Sequence, residues 1–356
     1  MRAVLVVLVL SICAGAAVPA PACTCFSVVH GATVFVGRNY DWDFSDGLVL
    51  VNSRGLEKFA NLDPEADSKS WIARYGSVTF NQYGRDFPCG GMNEQGLVVE
   101  VLWLDGSVYP PADERLGLDS VQWIQYQLDT AASVDEVLAS LAIVRVQGTV
   151  AIHFYVADRE GHAAAVEFLG GNAVVHRTGA SMQVAALTNH TYEQSLSYLR
   201  GLEGWGGREP LPKSAGSLAR FGRAASAARA LAERRNAAQP ADIFGVLQDV
   251  AQPGRTQWSV VYDLTARRIH FRTLRSAGIK SIDFGGLDFA CSAPNRMLDV
   301  DVDARGDVAG RWREYTRAAN RELIGRTYAK TEFLRDTTPR TLDALAAHPE
   351  RGHCVH

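Results

Sequence analysis

The sequence predicts an α+β layered domain, on three observations. Apolar strand-like runs come in pairs joined by short turns, helix-like runs lie in groups between those pairs, and neither a low-complexity linker nor a fixed-period repeat interrupts the chain. Strands joined by short turns pair antiparallel, whereas consecutive parallel strands need a long crossover, so a βαβ sheet is disfavoured.

The elements follow in chain order. From Cys25 to Asn39 the pattern is a hairpin: Phe26, Val28 and Val29, a turn at His30-Gly31, then Val34 alternating with Val36. A strand from Leu97 to Leu104 follows Gly90, Gly91 and Gly96, and strands Val150 to Ala157 and Ala163 to Leu169 flank a charged turn at Asp158 to Gly161. Trp258 to Tyr262 and Ile269 to Thr273 form a late pair across Asp263 to Arg268. Helix patterns cover Asp119 to Ala132, Ser133 to Ala142 with a Ser133/Glu136 capping box, Thr191 to Leu202, Ser217 to Arg234 and Ala241 to Val250. Glu203 to Ser217, rich in Gly and Pro, is a surface loop. Beyond Val300 the chain becomes more charged, with a long helix from Asp307 to Tyr328 and a shorter one near Leu342.

A chain of 356 residues allows one large or two ordinary domains, at roughly 150 residues each. The division expected is a leader over residues 1–22, a main domain over 23–300 and a helical extension over 301–356 packed against it. Hydrophobic residues at 47% and charged residues at 21% suffice for a substantial core and argue against disorder. A formal net charge of -3 without any long Lys/Arg run excludes the footprint of a nucleic-acid or polybasic membrane binder, leaving a small-molecule or peptide-like partner.

The N-terminus is the most diagnostic segment. Arg2 precedes an apolar run from Ala3 to Val18, and Ala20-Pro21-Ala22 places small residues at both recognition positions of a signal-peptidase site. The run falls short of the roughly 20 apolar residues of a membrane span, and no later segment qualifies as an integral membrane segment. The mature protein is expected outside the cytoplasm, secreted or periplasmic, where disulfides persist. Cys25, Cys89, Cys291 and Cys354 then suffice for two disulfides, with three possible connectivities. A disulfide is expected for Cys25.

Cleavage after Ala22 makes Cys23 the first residue. An N-terminal cysteine carries a nucleophile and a base together, because its α-amine can accept the thiol proton and later donate it to the departing amine of a cleaved amide. Two other readings stay open: Cys23 as a disulfide partner, or as a lipid-modified residue, which would abolish this chemistry. A lipoprotein signal normally carries Leu three residues before the cysteine, where this chain has Ala20. His153, His162, His176 and His190 show no metal-ligand spacing. Tyr40, Trp42 and Trp103 suit either an acyl pocket or the core.

Cys23-Thr24-x-Phe26, followed by Gly37-Arg38-Asn39-Tyr40-Asp41-Trp42, resembles the opening of the choloylglycine hydrolase and penicillin V acylase family of N-terminal-nucleophile hydrolases. Gly91-Met92-Asn93-Glu94-x-Gly96-Leu97, Leu187-Thr188-Asn189 and Ala219-Arg220-Phe221 continue the resemblance in order, over roughly Cys23 to Arg272. It implies a four-layered αββα sandwich and hydrolysis of a linear amide of an N-acyl compound, without metal or organic cofactor. Cys23 would be the nucleophile, Arg38 or Arg220 would favour its thiolate, and Asp41 would accept hydrogen bonds from the ammonium or thiol. Asn189 and Asn93 would supply the oxyanion hole. Penicillin V, acyl-homoserine lactones and conjugated bile salts are the substrate types implied. A dipeptidase or acyltransferase of the same superfamily, and a non-catalytic secreted lipoprotein or binding protein, are the alternatives; a homo-oligomer is left open.

Overall fold

The computed structural model describes residues 22–60, 62 and 69–355. The expected leader, apart from Ala22, lies outside the described residues. Two sheets stack face to face, with helices on both outer surfaces. The first sheet has seven strands and is centred on the hairpin Thr24–His30 and Thr33–Asp41, flanked by Ala186–Leu187 on one side and Thr256–Asp263, then Arg268–Thr273, on the other. The second has nine strands among the described residues and carries Gly90–Asn93, Val98–Trp103, Ile152–Ala157 and Ala163–Leu169 as consecutive antiparallel neighbours within it. The core between them is aromatic and apolar: Phe80 of the second sheet meets Trp258, Tyr262 and Phe271 of the first.

Seven α-helices are described: α1 Gln122–Thr130, α2 Val134–Ser140, α3 Tyr192–Arg200, α4 Ser217–Glu233, α5 Pro240–Asp249, α6 Arg317–Lys330 and α7 Pro339–Ala347. Helices α4 and α5 cover the outer face of the first sheet, and α1 covers the second. This is the expected αββα order. Each expected helix from Asp119 to Val250 forms, most with shorter ends, while α5 begins one residue earlier than expected, at Pro240. The Ser133 box forms by half: the Ser133 side chain accepts from Glu136 N, while Glu136 Oε2 takes the N–H of Ala132. A complete box, Thr191 with Gln194, starts α3 directly after Asn189.

Two expectations are corrected. The helix expected from Asp307 begins at Arg317, where the Thr316 side chain caps Ala319 N. Residues ahead of it are used by the sheets instead, Gly306–Asp307 beside Lys280 and Ser281, and Arg313–Glu314 beside Arg296 and Met297. Among the described cysteines there is one disulfide, Cys291–Cys354. Cys25 and Cys89 are free thiols buried in the core. Cys25 faces Arg38 across the hairpin register, and Cys89 Sγ donates to Tyr40 Oη at 3.8 Å.

Candidate active site

Strand periodicity explains how one hairpin serves both of its faces. Successive side chains alternate, so Arg38 and Tyr40 of Thr33–Asp41 point between the sheets, toward Glu100 and Gln82, while Asn39 and Asp41 point toward α5 and α4. Cys23 precedes the partner strand at the hairpin's open end, where groups from both faces reach it. Its side chain is buried.

Arg38 Nη2 stands 4.0 Å from Cys23 Sγ and donates to Val101 O at 3.0 Å. Its Nε pairs with Glu100 Oε2 at 2.5 Å, with both side chains buried. Tyr262 Oη donates to the other oxygen of Glu100. Burial pushes the Glu100 carboxyl up to about 7, against the pull of Arg38 and Tyr262. Gly90 sits opposite Glu100 in the strand register, and a Cβ there would lie 2.0 Å from the carboxylate. The missing side chain therefore makes room for the group that anchors Arg38. Burial pushes the Cys23 thiol up from its ordinary range, and the adjacent Arg38 charge opposes that shift.

Arg220, on α4, contacts the backbone around Cys23 rather than its sulfur. Nη1 donates to Cys23 O at 2.6 Å and to Thr24 Oγ1 at 2.5 Å, while Nη2 donates to Asn189 Oδ1 at 2.7 Å. Asp41 Oδ1 accepts from Thr256 Oγ1 at 2.5 Å, and Oδ2, 3.9 Å from Arg220 Nη1, is buried without a hydrogen-bond partner. Burial raises the Asp41 carboxyl to about 6, with Arg220 and Thr256 opposing.

Asn189 completes the group. Its Oδ1 accepts from Cys23 N at 2.9 Å as well as from Arg220, and its Nδ2 donates to Trp103 O at 2.8 Å. A guanidinium can only donate and a carbonyl can only accept, so the orientation of the amide is determined. The second Nδ2 proton has no acceptor among the described residues. Asn93 behaves differently. Its Nδ2 donates to Leu128 O and Ala131 O, and its Oδ1 accepts from Gln95 N and Leu97 N. Both its amide protons are committed to carbonyls at the C-terminal end of α1 and its oxygen to closing the turn, so the expected oxyanion donor is not available from this side chain.

The structure thus brings Cys23, Arg38, Asp41, Asn189 and Arg220 together and leaves Asn93 apart. Glu100 was missed; its signal was a lone charge inside the apolar run Val98–Trp103. Cys23 lies in the wall of a cavity of about 610 Å³. Tyr40, Trp42, Val101 and Trp103 line it with the cysteine, and Tyr328, Phe333, Leu334 and Leu345 of the C-terminal extension complete its lining. Phe333 lies against Trp103 with ring centroids 6.1 Å apart. Among the described residues no His, Cys, Asp and Glu cluster could hold a metal ion, and no helix is long and apolar enough to cross a membrane.

Comparison with known proteins agrees with this geometry. Residues 23–296 match the model of the linear amide C–N hydrolases, choloylglycine hydrolase family. A penicillin V acylase of Pectobacterium atrosepticum is 28% identical, with the match covering 63% of this chain and 70% of that protein. Among solved structures, penicillin V acylase from Agrobacterium tumefaciens superposes with a TM-score of 0.72 at 28% identity, over 82% of this chain and 98% of that one. A variant of the conjugated bile acid hydrolase from Clostridium perfringens shares the fold at 17% identity, with a TM-score of 0.65 over 78% of this chain and 96% of that one. The chain belongs to the choloylglycine hydrolase family of linear amide C–N hydrolases, on an N-terminal-nucleophile hydrolase fold.

Proposed function

We propose that this protein is an exported cysteine amidase that cleaves N-acyl amides with a large apolar acyl group, using Cys23 as nucleophile after removal of residues 1–22. The observation that carries this reading is Cys23 in the wall of an apolar cavity with its N–H already bonded to Asn189 Oδ1. Cleavage before Cys23 turns that amide into an amine held by the same oxygen.

In the reaction the amine takes the Cys23 proton, with Arg38 favouring the thiolate, and sulfur attacks the acyl carbonyl carbon. The free Nδ2 proton of Asn189 stabilises the oxyanion. Collapse of the tetrahedral intermediate breaks the C–N bond, and the ammonium returns its proton to the leaving amine. Water, deprotonated by the same amine, then hydrolyses the thioester and releases the acid. Arg220 holds Cys23 O and Asn189 Oδ1 in register throughout.

Mass spectrometry of the mature N-terminus, together with phenoxyacetyl, long-chain acyl and steroid-acyl amides as substrates, tests this. A free Cys23 and turnover of one acyl class are expected; a lipid-modified Cys23 would exclude it. Cys23→Ser is expected to abolish nearly all turnover, because a hydroxyl is a much weaker nucleophile when its base is an α-amine. Cys25→Ser should retain most of it, and reversed outcomes would transfer the role to Cys25.

A further inference from the structure

The segment bearing Asn189 is held from beneath by a buried pair that the mechanism above does not use. Glu167 on Ala163–Leu169 and His153 on Ile152–Ala157 are both fully buried. His153 Nδ1 lies 3.1 Å from Glu167 Oε1, and its Nε2 lies 2.8 Å from Thr188 O. Glu167 Oε1 also accepts the N–H of Tyr192 at 2.9 Å. A carbonyl only accepts, so Nε2 carries a proton. The two bonds leaving the pair thus land on the residue before Asn189 and on the first residue of α3 after it. A buried polar pair is by itself weak evidence for stability. Here its free ends grip both flanks of a single catalytic side chain.

We propose that Glu167 and His153 are positioning residues, which hold the Asn189 amide at the distance and angle the oxyanion requires. On the opposite side Ser217 Oγ, at the start of α4, accepts the Asn189 N–H at 2.9 Å, so the segment is braced by a helix and by a sheet. His176 Nε2, 3.9 Å from Glu167 Oε2, is the other titratable group facing the pair. The inference rests on Asn189 donating to the oxyanion.

The test is a double-mutant cycle on the processed protein, with an amide that the wild type hydrolyses. Because a small misplacement of a positioned group can cost about a hundredfold, Glu167→Ala is expected to lower kcat by about ten- to a hundredfold with KM little changed. Glu167→Gln, which keeps an acceptor oxygen for Tyr192 N and His153, should restore most of the loss. Alkylation of Cys23 by iodoacetamide needs no oxyanion hole and should proceed at the wild-type rate. In an Asn189→Ala background, Glu167→Ala should cost nothing further, since coupled residues are non-additive. The same fractional loss in both backgrounds, no loss in either, or joint loss of turnover and alkylation would overturn the proposal. The amidase reading itself fails differently, as a wild-type protein inert toward every amide. Nitrogen-15 spectra of histidine-labelled wild type judge His153 whether or not the variants fold: a protonated Nε2 supports the clamp, and a bare Nε2 rules it out.

Discussion

Asn189 and Asn93 are the same residue type, Asn93 fully buried and Asn189 half-buried, yet their hydrogen bonds suit them to different work. Asn189→Ala should lower turnover by about a hundredfold to a thousandfold with a smaller effect on KM, as loss of one oxyanion donor does. Asn93→Ala leaves Leu128 O, Ala131 O and two backbone N–H groups without their partner. It should cost stability, about 1 to 3 kcal/mol per buried group left unsatisfied, with turnover of the folded fraction preserved. Turnover and melting temperature on both variants separate the two roles. Asp41 gives a pH signature. Burial raises its carboxyl from 3.8 to about 6 in the folded state, so the native protein binds this proton more tightly than the unfolded chain. Its contribution to stability is therefore fully present below pH 3.8 and is lost as pH rises through about 6. Asp41→Asn, neutral throughout, is expected to flatten that part of a melting-temperature profile. It should be at least as stable as wild type at pH 7 while losing activity; an unchanged slope between pH 4 and 6 would remove Asp41 as its source.

At the level of elements, the site depends on two strand pairs meeting at their ends. The hairpin Thr24–His30 and Thr33–Asp41 presents Arg38 inward. The facing pair Gly90–Asn93 and Val98–Trp103 presents Glu100, in a space that only a glycine at position 90 leaves open. Gly90→Ala should therefore displace the Glu100 carboxylate, free Arg38 from its anchor and raise the thiol pKa of Cys23. The measurements are the pH dependence of Cys23 alkylation, expected to shift to higher pH, and a lowered melting temperature. A wild-type alkylation profile would mean that Arg38 keeps its place without Glu100. The hairpin itself was legible in the residues, because a period of two is local. The short strands Leu48–Asn52 and Gly90–Asn93 were not, since the first pairs with the remote strands Ser77–Asn81 and Arg296–Asp299 and the glycines of the second weaken any strand pattern.

For the whole molecule, the C-terminal extension is part of the cavity. Tyr328, Phe333, Leu334 and Leu345 are part of its lining, and the Cys291–Cys354 bond ties the end of the chain back across 63 residues. Tyr83 and Thr331 hydroxyls, 3.2 Å apart, and Lys330 Nζ with Asp46 Oδ2 at 2.6 Å add local ties. Replacing both Cys291 and Cys354 by Ser should cost about 2–4 kcal/mol of stability. It should also relax discrimination between large and small acyl groups more than it lowers turnover of the smallest. Equal losses for every acyl size would indicate that the extension stabilises the domain without shaping the cavity.

The residues alone supported the layered α+β architecture and the order of the central strands and helices, because periodicity and turn residues are properties of neighbouring positions, while the resemblance carried by short motifs supplied the candidates Cys23, Arg38, Asp41, Asn93, Asn189 and Arg220. Tertiary structure decided the rest. It separated Asn189 from Asn93 through the partners each amide finds, and it divided the two arginines, Arg38 beside the sulfur and Arg220 on the backbone and Asn189. It left Cys25 and Cys89 as thiols and put Glu100, His153 and Glu167 behind the site. These outcomes depend on distances between groups remote in sequence, and a buried charge or amide takes its role from whichever partner the packing supplies.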